Sequence, residues 1–139
     1  MKAFFDANVL LDVLLGRAPF YTDSARALTL ADTGRVDGCA SAITFPVVFY
    51  IVEWYRDGSE AHRAVRALAG MLSVAPCDDQ VINQAIDCGA ADFEDAVQYF
   101  SAVRAGAECI ITRDRSGFPT DSTIPVLAPT EFLAQSDLA

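Results

Sequence analysis

Apolar positions along the chain follow two patterns, short apolar runs and longer amphipathic stretches. The short runs predict buried strands, and apolar residues spaced three and four apart predict helices. Glycines and an Asp–Gly turn mark the ends of several longer stretches. Strands are predicted for residues 2–5, 36–41, 72–75, 108–112 and 124–127. Helices are predicted for residues 8–15, 20–33, 44–55, 59–71, 79–88 and 93–105, with a short last helix that Thr130 caps.

The alternation of these elements predicts a parallel sheet, because parallel neighbours need a crossover connection, which is usually a helix. The apolar runs FF, CII and PVL within the predicted strands would not suit a sheet with one face in water. We therefore predict a three-layer α/β/α domain with four or five parallel strands. Residues 1–139 form one domain in this interpretation, since neither a linker nor a repeat interrupts the pattern.

Acidic residues follow two of the predicted strands. Asp6 comes directly after the first strand, and Asp114 lies two residues beyond the strand ECIIT. Asp92 and Asp95 share one face of the helix that leads into that strand. Because ligands of open parallel sheets bind at the carboxyl ends of the strands, we expect these acids at one rim.

Carboxylates at one rim repel each other unless a cation joins them. Oxygen ligands without His or Cys favour Mg²⁺ or Mn²⁺, and such an ion can activate water for phosphodiester hydrolysis. Each acid also has a structural alternative: Asp6 and Asp92 are suited to N-caps, and Asp114 to a turn. A solvated or capping role is predicted for four further acids, Asp12, Asp78, Asp79 and Asp121.

The net charge of −9 argues against a simple nucleic-acid-binding module, which is normally basic. We expect no strong DNA binding by this chain alone. Lys2 is the only lysine, which disfavours haloacid-dehalogenase-type phosphatases and receiver domains. The chain has no Gly-Lys-Ser/Thr motif of P-loop enzymes. His62, the only histidine, is predicted at the surface, which disfavours a Cys–His catalytic pair.

The cysteines and the apolar runs predict a cytoplasmic protein. None of the four cysteines lies in a Cys-x-x-Cys pair, and this spacing argues against a zinc site. Cys39 and Cys109 have apolar neighbours and are predicted to be buried, reduced thiols. Asp6 interrupts the first apolar run, so a signal peptide is not expected. No membrane span is expected either, because the apolar stretches are short.

Three segments taken in order resemble the PIN domain, in particular the VapC-like toxin ribonucleases of toxin–antitoxin pairs. FFDANVLLDVLLGRAPF resembles the family's start, DFEDAVQYFSAVRAGAECIITRDRSGF its second half, and VLAPTEFL the tail of one subgroup. The similarity covers nearly the whole chain. It implies a metal-dependent endoribonuclease with RNA as its substrate and an antitoxin protein as its partner, working with one or two ions.

The resemblance also implies roles for single residues. Asp6, Asp95 and Asp114 match the family's metal-binding acids, which makes them the candidate catalytic residues. Asp92 matches an additional acid of a DFED-like motif and is a fourth candidate metal ligand. Asn8 and Thr112 match two polar positions near the site.

One position departs from the family pattern. PIN ribonucleases usually carry a Glu on the helix after the second strand, where the segment SAITFPVVFY has Val47. Glu53 is a poor substitute, because six residues turn a helix by about 240°. A second function class therefore stays open beside the ribonuclease, namely a PIN-like binding module that has lost its nuclease activity.

Arginines and aromatic residues suggest where partners bind. Three arginines just beyond the predicted rim are candidates for phosphate contacts, with ordinary solvation as the alternative: Arg17, Arg113 and Arg115. The segment Phe45–Tyr55 is more apolar than one buried helix face needs. Core packing explains most of it, and the remainder predicts either a homodimer seam or a groove for an antitoxin helix.

Overall fold

Five parallel strands form the centre of the computed structural model, which describes residues 1–135. The strand order across the sheet is β3-β2-β1-β4-β5. The strands are β1 (Lys2–Phe5), β2 (Asp37–Ser41), β3 (Ser73–Ala75), β4 (Cys109–Ile111) and β5 (Val126–Leu127). The first strand thus lies in the middle of the sheet, between two strands that are far away along the chain.

Seven helices connect and flank these strands within the described residues. They are α1 (Ala7–Leu14), α2 (Tyr21–Asp32), α3 (Thr44–Tyr55), α4 (Gly58–Met71), α5 (Asp79–Asp87), α6 (Phe93–Arg104) and α7 (Pro129–Leu133). The helix ends differ from the predicted ones by at most one residue. The capping prediction for α7 is wrong: Thr130 lies inside its first turn, where Glu131 Oε1 accepts a hydrogen bond from Ala128 N at 2.8 Å.

The sheet is apolar on both faces because successive side chains of a strand point in opposite directions. Phe5 and Ile111 pack on one face in a core with α1 to α4 and α7, whereas Phe4 and Ile110 pack on the other face with α6. Helix α5 packs on α6 through Val81. The three-layer α/β/α prediction is confirmed, with five parallel strands.

The predicted burial of two thiols is confirmed as well. Cys39 and Cys109 lie on β2 and β4, have no exposed surface and are free thiols. Burial raises the pKa of each thiol to about 11, so both stay protonated at neutral pH.

Within residues 1–135, no helix combines the length and the apolar composition that crossing a bilayer requires.

Candidate active site at the carboxyl edge of the sheet

The pairing of β1 with β4 places the first acid at the carboxyl edge of the sheet. Phe5 is in register with Ile111, and Asp6 N donates to Ile111 O at 2.9 Å. The Asp6 side chain is only 4% exposed. It also caps α1, because Asp6 Oδ1 accepts from Ala7 N at 2.7 Å. The predicted cap and the predicted site residue are therefore one carboxylate, which has Oδ2 left for other contacts.

Thr112 connects Asp6 to the segment after β4. Its hydroxyl donates to Asp6 Oδ2 at 2.8 Å and accepts from Asp114 N at 3.2 Å and from Asn8 Nδ2 at 3.3 Å. Asn8 Oδ1 in turn accepts from Arg113 N at 3.2 Å. The two predicted polar positions, Asn8 and Thr112, thus lie beside Asp6 and fix the orientation of its carboxylate.

Two acids from the first turn of α6 meet Asp6. One carboxylate oxygen each of Asp6, Glu94 and Asp95 lies within 4.8 Å of the other two. Asp6 is buried, Asp95 is half-buried and Glu94 is exposed, so the group opens towards solvent. Asp6 and Asp95 were predicted to lie together, whereas Glu94, which stands in the same DFED segment, was not predicted as a site residue. We call Asp6, Glu94 and Asp95 the acidic triad.

The other two predicted metal ligands lie outside the acidic triad. Asp92 Oδ1 caps α6 by accepting from Asp95 N at 3.1 Å. Asp114 is exposed, and its Oδ1 accepts from Ser116 N at 3.0 Å and from Ser116 Oγ at 2.7 Å. These bonds to the charged form hold the pKa of Asp114 below its usual value. Asp92 and Asp114 are therefore not among the carboxylates that meet in the triad.

Glu94 is held by a buried polar pair that reaches α3. Gln98 Nε2 donates to Glu94 Oε1 at 3.0 Å and to Thr44 Oγ1 at 3.0 Å. Gln98 and Thr44 have no exposed surface. Val47, which replaces the family's usual Glu, lies three residues beyond Thr44 on the same helix. Helix α3 thus reaches the site through the hydroxyl of Thr44, which contacts the amide of Gln98 on α6. The carboxylate comes from Glu94, which is also on α6.

The prediction that Asp12 is solvated or capping is wrong. Asp12 is fully buried in the middle of α1, at 0% exposure. Arg113 Nε donates to Asp12 Oδ2 at 2.8 Å, and Arg113 Nη2 to Asp12 Oδ1 at 3.2 Å. Arg17 Nη1 lies 3.8 Å from Asp12 Oδ1. A buried carboxylate needs such partners, and here both come from loops that flank α1.

These contacts show which of the three arginines predicted to bind phosphate are already paired with acidic side chains. Arg113 and Arg17 face the internal carboxylate of Asp12, and the Arg113 guanidinium lies 4.1 Å from the centre of the Phe20 ring. Arg115 is exposed and forms an ion pair with Glu131 at 3.1 Å. Arg115 is therefore the most accessible of the three.

The remaining predictions for polar residues fit the structure. Asp78 caps α5 through Val81 N, and Asp79 and Asp121 are exposed. His62 is exposed on α4, and its ring lies edge-on to Phe49 with 4.9 Å between the ring centres.

Asp6 and Asp95 of the acidic triad bind protons unusually strongly. Burial raises the pKa of Asp6 to about 6, and the charge of Glu94 adds to this, whereas the hydrogen bond from Thr112 opposes it. Burial also raises the pKa of Asp95 to about 7, with further contributions from a hydrogen bond with Glu94 and from the charge of Asp6. The causes that raise these two pKa values all penalise a negative charge without a positive partner. A bound cation would relieve this penalty.

The raised pKa values predict that the metal-free protein loses stability as the pH rises from about 4 to about 7. Between these values folded Asp6 and Asp95 keep protons that the unfolded chain releases, so each unit by which the pH rises favours unfolding. For the buried Asp6, the shift from 3.8 to about 6 corresponds to roughly 3 kcal/mol. Thermal unfolding in EDTA from pH 4 to pH 8 measures the slope.

The control for this prediction is Asp6→Asn, which has no proton to lose at this position and should flatten part of the slope. Mg²⁺ or Mn²⁺ should raise the melting temperature of the unaltered protein at pH 8 and have little effect at pH 5, where protons compete for the carboxylates. A melting temperature in EDTA that rises towards pH 8 equally in both proteins would contradict the prediction.

The fold and the acidic edge together define a class of protein, the three-layer α/β/α domain with a carboxylate site at the carboxyl ends of its central strands. The chain belongs to the PIN domain family, whose model matches residues 2–116. Among characterised proteins it is similar to Ribonuclease VapC1 from Aquifex aeolicus (strain VF5), with 26% identity over 136 residues. That alignment covers 94% of this chain and 92% of the relative.

Solved structures share the fold. The chain is similar to VapBC-1 from nontypeable Haemophilus influenzae, with a TM-score of 0.70 and 13% identity, covering 94% of this chain and 99% of the other. It is also similar to a toxin-antitoxin complex from Klebsiella pneumoniae, with a TM-score of 0.67 and 21% identity, covering 91% of this chain and 97% of the other. The α/β/α architecture is therefore the one found in these complexes.

Proposed function

We propose that this PIN-domain protein is an endoribonuclease that depends on a divalent metal ion, and that it is the toxin of a toxin–antitoxin pair. The observation that carries the proposal is the acidic triad, in which Asp6 from the end of β1 meets Glu94 and Asp95 from the start of α6. The ribonuclease named among the relatives supports RNA as the substrate.

The donor set of the triad suits Mg²⁺ or Mn²⁺. All three side chains offer carboxylate oxygens, which hard divalent cations prefer, and neither a His nor a Cys belongs to the group. Asp6, Glu94 and Asp95 would hold the ion, and Asp92 and Asp114 would be candidates for binding its water ligands or a second ion. When bound, the ion would polarise a phosphoryl oxygen and lower the pKa of a water molecule.

The chain's own residues prepare this site before any ion arrives. Thr112 Oγ1 and Ala7 N hold both oxygens of Asp6, so its carboxylate has one orientation. Gln98 orients Glu94 in the same way. Such supports lower the reorganisation that binding requires.

The experiment that tests the proposal is incubation of the purified protein with a mixture of small RNAs in Mg²⁺, Mn²⁺ or EDTA. Cleavage is expected with a divalent ion and not with EDTA. Glu94→Gln should slow cleavage at least about tenfold, because it removes one negative ligand from the site. Glu60→Gln, an equivalent change on the exposed surface of α4, is the matched control and should cleave like the unaltered protein.

A second candidate function rests on Val47. Without the family's usual Glu, the protein would be a binding module that has lost its nuclease activity. Glu94 argues against this candidate, because it brings a third carboxylate to the site from another helix. The absence of cleavage with any RNA, together with the absence of metal binding by calorimetry, would favour the module.

The partner we propose is an antitoxin protein, as in the toxin-antitoxin complex whose fold this chain shares. Helix α3 supports an interface, because three of its aromatic residues are exposed, Trp54 at 84%, Tyr50 and Tyr55. A homodimer seam is the other occupant that this face suggests. The mass of the complex in solution, measured for the chain alone and with the product of the neighbouring gene, separates the two. The cytoplasm is the proposed compartment, in keeping with the free thiols.

A further inference from the structure

We propose that the large cavity beside the acidic triad is a binding site for one unstacked nucleobase of the RNA, next to the phosphodiester that is cut. This inference rests on the proposed ribonuclease function and adds the part of the substrate that the cavity recognises. The cavity has a volume of about 610 Å³, within the range of roughly 300–1,000 Å³ that small-molecule sites occupy. It lies between the start of α6 and the loop after β4.

The cavity and the triad share a wall. Gly117 lines the cavity, and a Cβ atom at this position would overlap the carboxylate of Asp95. Ser116 lines it as well and donates to Asp114, and Asp92 lines it while capping α6. Only Gly117 therefore separates a group bound in the cavity from the carboxylate of Asp95, where a phosphate would react.

The lining has the surfaces that a base needs. Tyr99 and Phe100, which are half-buried, contribute aromatic rings that meet edge to face with 5.2 Å between their centres, and Phe118 lines the cavity from a buried position. Single-stranded nucleic acids bind proteins largely by stacking bases on such rings. Small residues, Ala90 and Ala91 among them, leave room for a flat group between the rings and the loop.

The charge of the cavity lining favours binding of a base and disfavours binding of a phosphate. Asp92 and Asp121 are the charged residues of the cavity, and both are acidic. An anionic phosphate is therefore repelled, whereas the amino groups of a base can donate to a carboxylate, which only accepts. Adenine, guanine and cytosine carry an exocyclic amino group with two N–H donors, whereas uracil offers only its ring N3–H, so the cavity should favour these three over uracil.

The test uses two variants with the same change in size. Ala91→Leu fills the cavity from an exposed position, and Ala69→Leu on the exposed face of α4 is its matched control. Each protein is incubated with a pool of short single-stranded RNAs of random sequence, and the bases that flank each cut are read by sequencing.

The unaltered protein and Ala69→Leu should disfavour uracil about tenfold at one fixed position beside the cut. Ala91→Leu should lose this preference. Cleavage without a base preference in the unaltered protein, or a preference that Ala91→Leu keeps, would overturn the proposal.

A second measurement needs no cleavage. Cys88 is exposed and lines the cavity, so its alkylation reports on occupancy, and Cys77 outside the lining is an internal reference. With the Asp6→Asn protein in Mg²⁺, a single-stranded RNA should slow alkylation of Cys88 at least about fivefold, and an abasic strand with the same phosphates should not.

The two measurements separate the proposals. Protection of Cys88 by bases, without any RNA cleavage by the unaltered protein, would support the base site and reject the nuclease. Cleavage with neither a base preference nor protection would reject the base site and retain the nuclease.

Discussion

Asp6→Asn is expected to lower the rate of metal-dependent RNA cleavage at least about 100-fold, since a metal ion contributes several kcal/mol to such reactions and each 1.36 kcal/mol is tenfold. Asp6 is the most buried member of the acidic triad and the one that the sheet positions. An amide in its place removes a negative ligand but keeps the shape of the side chain. Initial rates on a fluorescent RNA in Mn²⁺ and in Mg²⁺ measure the effect.

The Asp6→Asn variant separates loss of chemistry from loss of fold. The substituted side chain would retain an oxygen acceptor for Ala7 N, and Thr112 Oγ1 could accept from the new amide, so both contacts survive the change. Above pH 7 in EDTA the variant should melt no lower than the unaltered protein, because a buried charge has been removed. Asp32→Asn, at the exposed end of α2, is the matched control. Full cleavage activity in Asp6→Asn would refute the assignment of the site.

Arg113→Ala is expected to have the largest effect on folding, a loss of about 3–5 kcal/mol of unfolding free energy. Asp12 has no exposed surface and would be left with only the more distant Arg17 as a partner. The Arg113 side chain also lies over the Phe20 ring, so the variant loses this packing as well. Urea unfolding followed by circular dichroism measures the difference.

A double-mutant cycle tests whether the buried charge is the cause. Asp12→Leu should cost less than Arg113→Ala, because an arginine left without its partner can turn towards water. Adding Asp12→Leu to Arg113→Ala should restore much of the loss, since no buried charge then remains. Arg26→Ala, which breaks an exposed ion pair on α2, should change the stability by less than about 0.5 kcal/mol. Additive effects of the two changes would contradict this explanation.

The pair between Asp12 and Arg113 also matters for the site. Arg113 follows Thr112 directly, and Thr112 orients Asp6. The internal pair therefore anchors the end of β4 to α1 at the point where the acidic edge is built. An arginine that the sequence suggested for phosphate binding is instead engaged with an internal carboxylate.

The sequence by itself determined the order of strands and helices and the acids at two strand ends. Periodicity predicts these features because burial of a strand or a helix face depends on residues a few positions apart. Asp6 and Asp95 could be placed at one edge because the carboxyl ends of parallel strands lie at the same edge of a sheet. The loop after β4 was recognised from Gly117 and Pro119, but not the cavity that it closes.

Only the tertiary structure decided the roles of Glu94, Asp12 and Arg113. Glu94 is held in the triad by a hydrogen bond from Gln98. Gln98 also donates to Thr44, which is 54 residues away in the chain. Asp12 is buried because an arginine 101 residues away meets it with two hydrogen bonds. Whether a charge is solvated, paired or aimed at a site depends on neighbours that the fold supplies, and local sequence patterns carry no information about such distant neighbours.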